Sequence, residues 1–294
     1  MSVSFMQRAA GALANSPLLR RGKALFAENS RDWNLPLSKS AKLQTGLWLI
    51  LEDYAKGFFP PKFSNREKTY QAEREYHSSI PGLSEAEVRQ NNRIKPFWPG
   101  KSGCHYLNHF VKLVEDLVRA GKNPPAKILE LGCGVGWMAE FLAAMGYEVC
   151  GTTIANEDVL DANRRVASLE ARGLAPRLKY VISPMETVCT VAGKEAYDVV
   201  FVYEALHHAF DWREALRSSF ACLKPGGWLL ICNEPNILHT FVAYRAAKLS
   251  NTHEIGFKKR ELVSELRKTG FKQIISTGAI WHFWIRPHWL LAQK

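Results

Sequence analysis

Two stretches of the chain combine residue types and spacings that can do chemistry. The first is Glu130-Leu131-Gly132-Cys133-Gly134-Val135-Gly136-Trp137. Its three alternating glycines let the backbone turn tightly and let a ligand lie against bare main chain. A helix starting just beyond them would offer N–H groups that lack intrahelical partners. The second stretch is Tyr203-Glu204-Ala205-Leu206-His207-His208. Histidine titrates near neutral pH and suits the removal of a proton from a reacting group. His208 is the preferred base, His207 the second candidate, and Glu204 an orienter or further base. The six cysteines (Cys104, Cys133, Cys150, Cys189, Cys222 and Cys232) include no CxxC pair and no cluster at zinc-ligand spacing. Reduced thiols and no metal are therefore expected.

Such residues need a scaffold. From about residue 103 the pattern supplies one. Tyr106, Phe110, Leu113, Leu117 and Val118 fall at helical spacing, and Gly121 with Pro124-Pro125 ends that helix. Strands are then expected at 127–131, 148–152, 178–182, 197–203 and 227–233, with two last ones at 271–277 and 288–292. Helices are expected at 138–145, 158–172, 213–223 and 258–269, the last stopped by Gly270. Alternating strands and helices imply a mostly parallel sheet covered on both faces. Ligands of such sheets sit beyond the carboxyl ends of the strands, where the glycine turn falls. A dinucleotide fingerprint requires Gly-x-Gly-x-x-Gly or Ala. Here the third glycine comes one position early and bulky Trp137 takes the last place. That spacing counts against NAD(P), although an NAD(P)-dependent oxidoreductase stays open as an alternative.

The segment Glu130-Leu-Gly-Cys-Gly-Val-Gly136 resembles the first motif of the class I S-adenosylmethionine-dependent methyltransferases. Three further landmarks follow in the family's order: Tyr197-Asp-Val-Val-Phe201 with Glu204-Ala-Leu-His-His208, then Leu223-Lys-Pro-Gly-Gly227, then Asn233-Glu-Pro235. The resemblance covers residues 103–294 and implies an α/β, doubly wound, mostly parallel seven-stranded sheet with an antiparallel last strand. It implies S-adenosylmethionine as cofactor. Backbone at Gly132, Cys133, Gly134 and Gly136 would line its methionine and ribose parts, beside Trp137 and Thr152. Glu130 would orient the amino end. Met185 and Glu186 would fall near the adenine, and Tyr203 and Glu204 beside the cofactor. One departure stands out: the family's usual acid at the end of the second strand is replaced by Thr153, a weak and uncharged acceptor. Glu157 and Asp158 lie a turn later as substitutes, and a non-catalytic binding protein of this fold stays open.

In methyl transfer the cofactor carries the difficult chemistry, and the protein aligns the partners and receives a proton. The Asn/Asp-Pro-Pro-aromatic motif of exocyclic-amine methyltransferases and the Pro-Cys pair of pyrimidine carbon methylation are both absent. The expected reaction is therefore O-methylation of a hydroxyl on a small molecule, a glycan or a lipid-linked acceptor. RNA methylation is kept as an alternative, because the chain is basic.

Its net charge is +11, with 19 Lys+Arg against 11 Asp+Glu in residues 1–125 and 20 against 17 in the rest. A positive field of this kind favours anionic partners, whether nucleic acid, membrane surface or acidic substrate. With 47% hydrophobic residues, 23% charged residues and 11% aromatics, global disorder is excluded. No apolar run approaches the ~20 residues of a membrane span. The stretch Ala9 to Leu19 lacks a basic leader and is broken by Asn15, Ser16 and Pro17, so no signal peptide is expected and the protein is assigned to the cytoplasm. Residues 1–102 form an N-terminal, mainly helical extension that would cap the substrate site of a domain at 103–294, helped by the segment between Pro235 and Lys258. Helices are expected at 6–27, basic and amphipathic, and at 43–59. Tyr76, His77, Phe97 and Trp98 are candidates for the acceptor pocket. The aromatic tail Trp281 to Trp289 and the basic N-terminal helix together suggest peripheral contact with the inner membrane surface.

Overall fold

A computed structural model describes residues 4–29, 32–278 and 286–294. Helices α1 (Phe5–Ala14), α2 (Arg20–Asn29), α3 (Lys39–Lys56), α4 (Arg66–His77), α5 (Glu85–Ile94) and α6 (Lys101–Arg119) precede the first strand, β1 (Lys127–Leu131). Then come α7 (Trp137–Ala144), β2 (Glu148–Thr153), α8 (Asn156–Ala171), β3 (Leu178–Ile182), α9 (Val188–Ala192), β4 (Tyr197–Tyr203), α10 (Trp212–Cys222) and β5 (Leu223–Glu234). The chain ends with α11 (Thr240–Ser250), α12 (Lys259–Thr269), β6 (Gln273–Ser276) and β7 (His288–Gln293). Two compact units result: Met1–Val88 with Ile237–Gly256, and Arg89–Asn236 with Phe257–Lys294.

The second unit holds one seven-stranded sheet in the order β3-β2-β1-β4-β5-β7-β6. Strands β1 to β5 pair in parallel, and β7 runs antiparallel to both of its neighbours. This is the architecture expected from the sequence. The inner strands β2, β1, β4, β5 and β7 are buried on both faces over most of their length, which explains their near-continuous apolar character, while β3 and β6 at the two edges are partly exposed. Along β4, Val199, Phe201 and Tyr203 join Leu113 and Leu117 of α6, Met138 and Leu142 of α7 and Ala162 of α8. Val200 and Val202 join Val188 of α9, Ala215 and Leu216 of α10, and Leu262 and Leu266 of α12. The helices thus divide three to each face, and the carboxyl ends of β1 to β5 open at one edge. Local signals set several boundaries. The Asp211 carboxylate caps α10 by accepting from the N–H groups of Arg213 and Glu214. Gly270 ends α12 in the left-handed region at φ 115°.

The first unit is built around α3, whose Trp48, Leu49 and Ile50 pack with Ala14, Leu19 and Tyr244. Ser38 caps the start of α3, and Gly57 at φ 78° ends it. Polar contacts tie α11 into this unit. Tyr244 donates its hydroxyl hydrogen to Asp53 (2.8 Å), and the Lys248 ammonium lies 2.5 and 2.6 Å from the same carboxylate. Arg245 donates to the backbone carbonyls of Asp32, Trp33 and Leu35 at 2.6, 3.1 and 3.2 Å.

The structure corrects the expectation of one helix over residues 6–27. Helix α1 stops at Ala14, a single turn covers Pro17–Leu19, and α2 begins at Arg20. The Asn15 side chain folds back to the carbonyl of Gly11, and Pro17 has no N–H to continue the ladder. Helices α4, α5, α9 and α11 were not foreseen. The buried residues of α4 are Thr69, Tyr70 and Glu73, and α5 buries only Val88, so neither carries an apolar stripe to read. Of the aromatic tail, Trp281, His282, Phe283, Trp284 and Ile285 lie outside the described residues, while His288 and Trp289 open β7.

Asp53 is buried and serves two donors, whereas Lys248 is partly exposed and screened. Asp53→Ala is expected to lower the unfolding free energy by about 2 kcal/mol, and Tyr244→Phe by about 1 kcal/mol, read from urea denaturation. Equal stability in both variants would remove this contact from the account of the first unit.

Candidate active site

At the end of β1 the chain turns sharply. The Cys133 N–H donates to the Thr152 carbonyl (2.8 Å) and the Gly136 N–H to the Cys133 carbonyl (2.9 Å). Gly132, Gly134 and Gly136 have φ of 64°, 49° and 72°, a region that favours glycine. Two of them also answer to their neighbours. A Cβ on Gly132 would come within 2.6 Å of the Ala205 Cβ and 2.7 Å of the Met185 Cε, so the segments after β4 and after β3 press against the turn. The space beside Gly136 is taken by the Tyr180 ring, whose hydroxyl donates to the Gly136 carbonyl (2.8 Å). The third glycine therefore serves packing. Trp137 is buried at the start of α7, its ring edge-on to Tyr203 at 6.2 Å. The buried Cys133 thiol is pushed well up by desolvation.

Glu130 is 4% exposed. Its carboxylate accepts from the Ala139 N–H in the first turn of α7, but burial outweighs that bond and pushes the carboxyl up to about 8. Oε2 is buried and has no hydrogen-bond partner among the described residues. An acid in this condition, beside a turn of exposed main chain, fits a ligand that brings a positive group.

At the end of β2 the two threonines differ. Thr152 donates to the Glu130 carbonyl (3.0 Å) and is fully buried, so its hydroxyl serves the sheet. Thr153 donates to the Asp158 carboxylate (3.3 Å), which reaches back from the first turn of α8. Of the two acids weighed as substitutes, Asp158 is thus the one at the strand end, while Glu157 is exposed. After β3, Met185 borders Gly132, and the Glu186 carboxylate accepts from the Asp211 N–H (3.0 Å) ahead of α10.

The end of β4 is organised by Glu234, which sequence reasoning missed as a site residue. Its fully buried carboxylate accepts from the N–H groups of Ala205 (2.8 Å), Leu206 (2.8 Å) and His207 (3.2 Å), and lies 2.8 Å from His207 Nδ1. Burial pushes Glu234 up, but the charge and hydrogen bonds of His207 and the two amides overcome it and hold the carboxyl below its usual range. His207 is buried against this acid. His208 is half-buried, its ring centroid 4.0 Å from that of His207. Glu204 sits at φ 49° and accepts a short hydrogen bond from the Asn233 amide. The Tyr203 hydroxyl lies 2.7 Å from His109 Nδ1. The structure therefore gathers Glu130, the glycine turn, Met185, Tyr203, Glu204 and Ala205 at one edge of the sheet.

Of the acceptor-pocket candidates, Phe97 and Trp98 belong to the second unit. Phe97 is exposed beside Phe141, and Trp98 meets the Tyr106 ring edge-on at 5.3 Å. Tyr76 and His77 belong to the first unit, where Tyr76 packs on Trp33 at 4.9 Å and His77 is exposed.

A family model described as a methyltransferase domain matches residues 105–276. The ubiquinone biosynthesis O-methyltransferase of Bordetella bronchiseptica is 26% identical over 209 residues, 66% of this chain and 84% of that protein. The protein of the same name from Bordetella avium is 26% identical over 162 residues, 52% of this chain and 65% of that protein. Among solved structures, magnesium protoporphyrin IX methyltransferase from Synechocystis PCC 6803 with bound SAH superposes with a TM-score of 0.58. It is 19% identical, and the match covers 76% of this chain and 99% of that one, a likeness of fold. With the glycine turn, the strand order and the family match in agreement, the chain belongs to the class I S-adenosylmethionine-dependent methyltransferases.

Proposed function

We propose that this methyltransferase O-methylates a hydroxyl of a small, lipid-linked aromatic acceptor. The observation that carries the cofactor part of the reading is Glu130, a buried acid with one oxygen left without a partner among the described residues beside the glycine turn. When bound, S-adenosylmethionine supplies an activated methyl group on a sulfonium. Glu130 would receive its positive amino end, and the main chain at Gly132, Cys133 and Gly134 would lie along its methionine and ribose parts. The Asp158 carboxylate, with Thr153, would accept from the ribose hydroxyls, a role the threonine alone fills weakly. Met185 and Glu186 would border the adenine, and Tyr203 and Glu204 would flank the reacting end. The His208 imidazole would take the proton of the acceptor hydroxyl, whose oxygen replaces the sulfur on the methyl carbon and leaves a neutral thioether. His207, bound to Glu234, is a positioning residue that holds the turn carrying His208. The lipid-linked acceptor is supported by the names of the curated relatives.

Peripheral contact with a membrane belongs to the same reading. No described helix is long and apolar enough to cross one. The first unit exposes Phe5 (77%), Met6 (66%) and Leu18 (82%) near the basic Arg8, Arg20 and Arg21. The identifying experiment incubates the protein with methyl-labelled cofactor and a panel of catechols, phenols, amines and RNA. Label in an aryl methyl ether supports the reading, and label only in an amine or in RNA overturns it.

Glu130 makes stability and binding depend on pH. Its carboxyl is raised from 4.5 to about 8, so its contribution to stability is fully present below pH 4.5 and is lost as pH rises through 8. Glu130→Gln should flatten that decline in thermal melts of the cofactor-free protein and weaken cofactor binding ~10–100-fold. A positive ligand favours the ionised form, so at pH 6.5 binding should release close to one proton, measured by calorimetry in buffers of different ionisation enthalpy. No proton release would remove Glu130 from the contact. His208→Ala should retain cofactor affinity and lower turnover at least ~100-fold. Unchanged turnover would exclude it as the base.

A further inference from the structure

Two histidines of α6, His105 and His109, stand four residues apart and so share one face of the helix. Their ring centroids are 3.9 Å apart. Glu204 approaches them from the end of β4, and one donor atom from each of the three residues lies within 4.8 Å of the others. We propose that His105, His109 and Glu204 bind a divalent cation of the zinc class, adjacent to the turn at Ala205. The proposal stands on this cluster alone and does not depend on the methyl-transfer reading.

The His109 ring is held by a neighbour, since its Nδ1 lies 2.7 Å from the Tyr203 hydroxyl oxygen. A hydrogen bond to one ring nitrogen is a common way of orienting a metal-ligating imidazole. The carboxylate is oriented as well, by the Asn233 amide, whose own oxygen accepts from the Trp289 indole at 3.4 Å. Tyr203 and Trp289 border His109, with ring centroids at 5.6 and 5.7 Å, and limit solvent there.

Neutral imidazoles and one carboxylate suit zinc, cobalt or nickel better than magnesium, which prefers oxygen ligands. The charge around the cluster points the same way. Lys95 is a cation whose charge couples to Glu204, with its ammonium 4.3 Å from the centre of the Tyr106 ring. Lys112 is neutralised by Asp116 at 3.2 Å. An incoming ion must compete with the Lys95 charge, which favours ions that imidazole binds strongly. Ring rotations moving the donor atoms by about 1 Å would bring them to the ~2.1 Å radius of such an ion. An acceptor oxygen or water would complete its coordination.

The test uses the full chain, stripped with a chelator and kept free of S-adenosylmethionine. Zinc binding is followed by calorimetry and cobalt binding by visible absorption. One equivalent should bind, with cobalt bands typical of nitrogen and oxygen ligands, and millimolar magnesium should not displace it. His105→Ala, at a half-buried position, and Glu204→Gln should each weaken binding at least ~100-fold, and Tyr203→Phe ~10-fold by freeing the His109 ring. Circular dichroism checks that the variants fold. Absence of stoichiometric binding, affinity unchanged in His105→Ala, or displacement by magnesium would overturn the proposal. Since no cofactor enters the titration, its failure leaves the methyl-transfer reading intact.

Discussion

The buried carboxylate of Glu234 is the contact on which the candidate site depends. After β4 the chain must leave a sheet edge closed to solvent, and its amide groups there need acceptors. Glu234, arriving on the neighbouring strand β5, takes three of them in succession and the His207 ring as well. The turn is thereby fixed, and Ala205 is pressed against Gly132. The glycine turn after β1 has its form because β4 ends in this way, and β4 ends in this way because β5 carries an acid at its buried end. Parallel pairing makes the arrangement possible, since it brings the carboxyl ends of β1, β4 and β5 to one edge.

Glu130 and Glu234 lie at the same edge, both buried, and their chemistry diverges. Glu234 has its hydrogen bonds satisfied by amides and an imidazole and stays ionised. Glu130 has one amide for two oxygens, and desolvation favours its proton at neutral pH. The first acid holds the structure together. The second carries an unmet demand for a positive partner, which makes it the more informative residue about function. The contrast comes from the count of donors around each carboxylate, since depth of burial is nearly equal.

The three glycines likewise divide by cause. Gly132 yields room to Ala205 and Met185, Gly136 yields room to Tyr180, and all three accept a left-handed backbone. The end of β2 has a similar economy. The sequence offers a threonine where the family has an acid, and the fold returns a carboxylate to that spot from the next helix, through the bond between Thr153 and Asp158. In the proposed reading that carboxylate, five residues later, takes the place of the missing acid.

The sequence by itself determined the sheet, its strands, the glycine turn and the family, because each is written in short-range patterns. Strands buried on both faces demand continuous apolar runs, and a backbone in the left-handed region demands glycine. Helices α4 and α5 escaped notice because they bury too few apolar side chains to leave a stripe. His105 and His109 were not singled out, because nothing local ties an i, i+4 pair of histidines to Glu204, some 95 residues later. Only the tertiary structure decided that Asp158 rather than Glu157 attends β2, that His207 is held by Glu234 while its neighbour is half-buried, and that Glu130 lacks a second donor. Those outcomes depend on which groups meet in the dry edge of the sheet. Desolvation and hydrogen-bond supply there are properties of the folded arrangement, which no residue type carries on its own.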